Sequence, residues 1–160
     1  MDQASQGTYD NLSRGTEFIG VNCVFWCHDS DGKILLHKRS QNCRDERGAW
    51  DAGGGAMEFG ETFEKAVRRE VKEEYGTEPL KVEYVGTRNV LRKNHEGKPT
   101  HWVKNLHWVL VDPNEVKIGE PRKMDEIGWF SVDNLPQPLH SQMEIEKEMI
   151  KEYLGRKTSF

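Results

Sequence analysis

The sequence predicts a layered domain of the α+β or α/β class. Three observations predict it: apolar strand-like segments recur along the chain, one strongly amphipathic helix interrupts them, and a second helix closes the sequence. At 160 residues the length suits a single domain that needs neither metal nor disulfide to fold. Residues 1–16 are mostly polar and are expected to form a flexible arm, leaving 17–160 as one domain.

The elements follow in order. Glu17–Cys27 is rich in Ile, Val and Phe and reads as a buried strand. His28–Gly32 is a turn and Lys33–Arg39 the return strand of a hairpin. Ser40–Gly48 is polar and irregular, and the glycines of Trp50–Gly60 predict a loop. Thr62 can cap a helix that Gly76 ends. Leu80–Asn94 and Thr100–Asp112 are strands around a His95–Lys98 turn. Asp125–Ser131 is a short strand and Val132–Pro138 a turn. Ser141 and Glu144 form a capping box for a last helix that runs to about Leu154 and closes at Gly155. Met143, Ile150 and Leu154 make its buried stripe.

Composition narrows the function classes. Asp and Glu number 27 against 23 Lys and Arg, a net charge of −4, which disfavours binding to a nucleic-acid duplex. There is no apolar run long enough for a transmembrane helix, so no membrane partner is expected. The first apolar cluster begins at Phe18, so a secretory signal is not expected either. The three cysteines, Cys23, Cys27 and Cys43, carry no disulfide pattern and fit a reducing cytoplasm. Cys23 and Cys27 read as core thiols rather than zinc ligands.

The helix after Thr62 carries the chemistry. Phe63, Val67 and Val71 fall on one side at 100° per residue, with Ala66 beside them. The same side continues into Glu70 and Glu74, with Glu73 adjacent. Three carboxylates on or beside a face that should be buried repel one another and are costly to desolvate. Arg68 points to the opposite side, so the arginines cannot neutralise them alone. Mg²⁺, a hard cation that takes oxygen ligands, would do so, and Mn²⁺ could substitute for it. A solvated acidic face is the other reading. The glycines at 53–55 and 60, just before the helix, allow close backbone approach and N–H contacts to phosphate.

Gly55, then Glu61, then Arg69-Glu70-Val71-Lys72-Glu73-Glu74-Tyr75-Gly76 resembles the Nudix box in register. Thr77, where the family usually has an aliphatic residue, and Gly53, where many members have proline, depart from it. Leu35–Arg39, Trp50, Trp129-Phe130 and Leu135-Pro136 resemble flanking Nudix features. The resemblance implies an α/β/α sandwich on a mixed central sheet and Mg²⁺-dependent hydrolysis of a nucleoside diphosphate linked to another group. By position it implies Glu70, Glu73 and Glu74 as metal ligands, with the Gly55 carbonyl as a further one. Arg69 would orient the acids and Glu61 would brace the loop. Arg39 would contact phosphate, and Glu73 would be the general base, with Glu126 as the alternative.

The substrate is less determined. The proline and tyrosine markers of the ADP-ribose and dinucleoside polyphosphate types are absent around Leu91 and Arg92. The segment from Glu120 to Leu139 resembles the MutT-like class, which implies a standard or oxidised nucleoside triphosphate cleaved to monophosphate and pyrophosphate. His37–Ser40 with Trp50–Gly54 also resembles proteins related to isopentenyl diphosphate isomerase, which act on a diphosphate without a base. An ADP-ribose or nucleotide-sugar hydrolase and a non-catalytic nucleotide sensor are further readings; the intact glutamates favour an enzyme. Trp102 and Trp108 share a strand face, so Trp102 is a candidate base contact unless both are core. His140 is a second candidate. The chain is expected to work as a monomer or homodimer.

Overall fold

The computed structural model describes residues 12–159. Seven strands and two helices follow the order β1 (Gly20–His28), β2 (Lys33–Arg39), β3 (Trp50–Asp51), β4 (Gly53–Ala56), α1 (Phe63–Tyr75), β5 (Lys81–Lys93), β6 (Pro99–Leu110), β7 (Met124–Ser131) and α2 (Met143–Thr158). The strands form one mixed sheet along the path β3-β2-β1-β6-β5, with β4 also paired to β1 and β7 to β2. β1 and β6 run parallel, with Val24 opposite Leu106, while β5 and β6 form a long antiparallel hairpin.

Alternation along the strands divides the core between the two faces. Cys23, Phe25, Cys27, Leu35 and Val109 pack under Ala66, Val67, Val71 and Tyr75 of α1. Val24, Trp26, Ile34, Leu36, Leu106 and Trp108 pack under Met143 and Ile150 of α2. The result is the expected α/β/α sandwich. Each fully buried aliphatic or aromatic side chain stabilises it by about 1.5–3 kcal/mol relative to exposure. Cys23 and Cys27 are free core thiols, as expected.

Four expectations are corrected. Residues 50–60 are not all loop: Gly53–Ala56 form a strand antiparallel to β1, with Gly53 opposite Phe25 and Gly55 opposite Cys23. Phe63 is not core. It is 41% exposed and stacks on Tyr84, because α1 begins beyond the edge of the packed layer. The Ser141–Glu144 capping box does not form, since Ser141 donates from both its N–H and its hydroxyl to Glu46 instead. Gly155 lies inside α2, which continues to Thr158.

Of the expected N-terminal arm, residues 1–11 lie outside the described residues. Hydrogen bonds tie residues 14–15 to the domain, although Leu12–Arg14 is exposed: the Gly15 carbonyl accepts from His101 N at 2.8 Å, and Arg14 reaches the Met57 carbonyl at 2.9 Å. The Trp102 indole lies so close to Gly15 and Gly20 that a Cβ on either would collide with it.

Candidate active site

The site begins with how α1 starts and stops. Thr62 Oγ1 accepts from Lys65 N at 3.2 Å, and Gly76 takes a left-handed conformation (φ 66°) with its N–H on the Lys72 carbonyl. Between these caps, Val67, Val71 and Tyr75 fix the helix rotation by burial. That rotation carries Glu70 and Glu74 onto the edge of the same face, against β4.

β4 is glycine-rich because nothing larger fits. A Cβ on Gly53 would strike the Phe25 ring and the Glu74 carboxylate, and one on Gly55 would strike the Glu70 carboxylate. The Gly53 departure from the family pattern is therefore a packing requirement. Thr77, the other departure, is buried and directs its hydroxyl to Glu115 at 3.4 Å.

Arg69 organises the carboxylates. Its guanidinium donates to Glu61 at 2.6 and 3.0 Å, to Glu70 at 2.7 Å, to the Ala56 carbonyl at 3.2 Å and to Glu73 at 3.5 Å. Glu61 also accepts from Glu58 N at 2.8 Å, tying the loop to the helix, and its pKa is held at about 2 by Arg69 and that N–H. Arg68 bonds Glu64 and the Pro79 carbonyl, away from the cluster.

Glu74 is far less compensated. It is 7% exposed and its one hydrogen bond comes from Gly54 N at 3.2 Å. Burial, then the charges of Glu70 and Glu120, push its pKa well above the ordinary carboxylate range. Glu70 is raised too, by burial against the opposing pull of Arg69, with Glu73 and Glu120 adding repulsion. Glu73 stands at the solvent rim, half exposed. The donor set is three helix carboxylates beside the three glycines of β4, with Glu120 facing it. That arrangement suits a hard dication, which would supply the missing positive charge.

Glu126 is not brought to this cluster. It is exposed and pairs in register with Lys38, on the sheet face of Ile34 and Leu36 that lies under α2, whereas the acids of α1 lie over the other face. Glu120, in the β6–β7 connection, is the carboxylate that the acids of α1 feel instead. Only the fold could reveal it, because no periodicity places a loop residue.

A cavity of 540 Å³ opens beside Glu74 and Gly54 and extends past His37 and Arg39 to Trp102 and Lys104. A smaller one of 200 Å³ adjoins it, lined by Gly53–Gly55, Asp51, His140 and Glu146. Arg39 is at the cleft, but its guanidinium is already engaged by Asp45 at 2.9 Å and Asp51 at 3.3 Å. Trp102 lines the larger cavity. Trp108 is core and stacks on His28, the ring centroids 4.1 Å apart, so the two tryptophans of one face have separate roles.

His140 lies on the cleft wall within a second polar cluster. Its Nδ1 accepts from Gln142 N at 3.3 Å, which leaves Nε2 to donate to Glu46 at 2.7 Å. Glu46 also accepts from Ser141 and, at 3.1 Å, from Arg92, and it holds a left-handed φ of 46°. Of this cluster the sequence singles out His140 as a candidate contact but not Glu46 or Arg92, nor does it single out Lys104. Lys104 had a usable signal, being the one charged residue in the Trp102–Leu106–Trp108 alternation.

The caps, the acidic helix face and the β4 cradle define a Nudix domain. The family model for the NUDIX domain matches residues 18–153, and the chain belongs to that family of hydrolases acting on phosphoric anhydride bonds. The chain is similar to the ADP-ribose pyrophosphatase of Methanocaldococcus jannaschii, 32% identical over 123 residues, or 77% of this chain and 69% of that protein. It is also similar to the NAD-capped RNA hydrolase NudC of Pseudomonas aeruginosa, 32% identical over 69% of this chain but spanning only 37% of that longer protein. Among solved structures, the MutT NUDIX hydrolase from Burkholderia pseudomallei superposes with a TM-score of 0.72 at 31% identity, covering 84% of this chain and 99% of its own. No helix among the described residues is long and apolar enough to cross a membrane.

Proposed function

We propose that this protein is a divalent-metal-dependent pyrophosphohydrolase that cleaves a nucleoside diphosphate linked to another group, and that a nucleoside triphosphate, standard or oxidised, is its substrate. One observation carries the reading. Glu74 is desolvated beside the Gly53–Gly55 backbone with a single N–H donor, and Glu70 next to it has only Arg69 to set against its charge.

In this reading Glu70, Glu73, Glu74 and the Gly55 carbonyl hold Mg²⁺ or Mn²⁺. The ion supplies neutralisation of phosphate charge and a lowered pKa for water. Arg69 keeps Glu70 and Glu73 aimed at the site, while Glu61 keeps Arg69 in place. Glu73, the member of the triad most open to solvent, takes the proton from the attacking water, with Glu120 the alternative base. Arg39 orients the phosphates, exchanging part of its pairing with Asp45 and Asp51. Trp102 and His140 contact the nucleoside end of the cleft.

A second reading is ADP-ribose as substrate, favoured by the similarity to the Methanocaldococcus enzyme. A phosphate-release screen in Mg²⁺ over nucleoside triphosphates, ADP-ribose, nucleotide sugars and prenyl diphosphates separates the readings. Pyrophosphate release from a triphosphate supports the first, AMP from ADP-ribose the second. Full turnover in excess chelator contradicts both.

A further inference from the structure

The acidic cluster accounts for one end of the cleft only. Seven lysines and arginines line the larger cavity against two carboxylates, Asp45 and Glu74. Several of these cations are already used: Arg39 by Asp45 and Asp51, Arg92 by Glu46, Lys123 by Glu120. Lys104 is not. It lines both cavities, and among the described residues no carboxylate lies within ion-pair distance of its ammonium.

Its setting makes that costly. On β6, Lys104 is directly opposite Arg88 of β5, and like charges facing each other across a sheet are destabilising. Arg88 has relief, donating to Gln142 at 2.7 Å and lying 3.5 Å from Glu146. The other Glu146 oxygen is taken by Trp26 Nε1 at 3.0 Å. Burial pushes the Lys104 pKa down, and Arg88 and Arg92 add to this, against the pull of Glu146 and Asp51.

We propose that Lys104, with Arg92 further along the same cavity wall, forms an anion subsite for a terminal phosphate group that the substrate carries in addition to the scissile linkage. This rests on the reading of the cleft as the substrate site. Lysine supplies a point charge with three donors, and Arg92 supplies the guanidinium nitrogens not engaged by Glu46. The extra phosphate has two possible sources, the continuing chain of a nucleoside triphosphate or a phosphate remote from the anhydride on the nucleoside or its partner group.

Two matched pairs distinguish them: ATP with ADP, and NADPH with NADH, each differing by one phosphate. For wild type, Lys104→Gln and Lys104→Arg, kcat/KM is measured on all four compounds in Mg²⁺, and their dissociation constants by calorimetry in chelator. The wild type is expected to favour the phosphate-rich member of one pair by about tenfold or more, the size of a charge-assisted contact. Lys104→Gln should bring that ratio to about one, and Lys104→Arg should retain part of it. Which pair responds identifies the source. Equal use and equal binding within both pairs, or a Lys104→Gln loss that falls equally on both members, overturns the proposal. If none of the four is hydrolysed, the hydrolytic reading of these substrates fails, and the binding ratios still decide the role of Lys104. Should Lys104→Gln not fold, Lys104→Met takes its place: an unchanged wild-type preference there contradicts the contact.

Discussion

Two clusters of acids flank the same cleft, and they differ in how completely the protein satisfies them. Glu46 accepts from the Ser141 N–H and hydroxyl, from Arg92 and from His140, four donors for one carboxylate. Glu74 accepts one N–H, that of Gly54, while Glu70 and Glu120 repel it. The first cluster is a clasp. It fastens the Ser40–Gly48 loop to the start of α2 across the sheet edge, and its stability is internal. The second is left short of positive charge by the fold itself. A carboxylate saturated by its own protein has little left to offer a ligand, whereas one held dry and underpaired is poised for an external cation. Asp45, Glu46 and His140 also lie close together, yet they are already engaged by Arg39, Arg92, Ser141 and one another.

Substitutions should break this contrast in opposite ways. The largest effect is expected from Glu70→Gln and Glu74→Gln, each lowering kcat by about 10²-fold or more in saturating Mg²⁺ with the fold intact by circular dichroism. Arg69→Met should come next, costing about 2–3 kcal/mol in denaturant unfolding, because it strips donors from Glu61, Glu70 and Glu73 at once. Glu46→Gln should cost about 1–2 kcal/mol of stability and change kcat only a few-fold.

That clasp should also be sensitive to acid. Burial would raise the Glu46 pKa, but the Ser141 donors, His140 and Arg92 outweigh it and hold it below 4.5. Its contribution is therefore present above 4.5 and lost as pH falls through the lower folded value. Burial holds His140 below 6.5, against the pull of Asp51 and Glu46, so its contribution is full above 6.5 and declines as pH drops. The melting-temperature gap between wild type and Glu46→Gln should shrink from pH 7 to pH 4. The smallest effect runs the other way: in chelator, Glu74→Gln should raise Tm by a few degrees, since it removes a buried charge.

Much of this was legible in the sequence. The strand periods, the Thr62 and Gly76 caps and the acidic turn of α1 are local signals, and each appears in the fold. What escaped was non-local. The glycines of β4 look like a loop because their reason is the Phe25 ring and the Glu70 and Glu74 carboxylates, packed from elsewhere in the chain. Ser141 and Glu144 have capping-box spacing, but Glu46, 95 residues away, competes for the serine and wins with two bonds. Glu126 looks suitably placed along the chain, yet strand alternation turns it to the other face, while Glu120 reaches the acids from a loop that has no period to read.

The contrast between the two clusters comes down to where a dication binds. Mn²⁺ titration followed by electron paramagnetic resonance, on wild type, Glu74→Gln and Glu46→Gln, measures this without substrate or turnover. Binding that is lost or greatly weakened in Glu74→Gln and kept in Glu46→Gln is the predicted result. Binding that survives Glu74→Gln unchanged and disappears in Glu46→Gln would contradict the account.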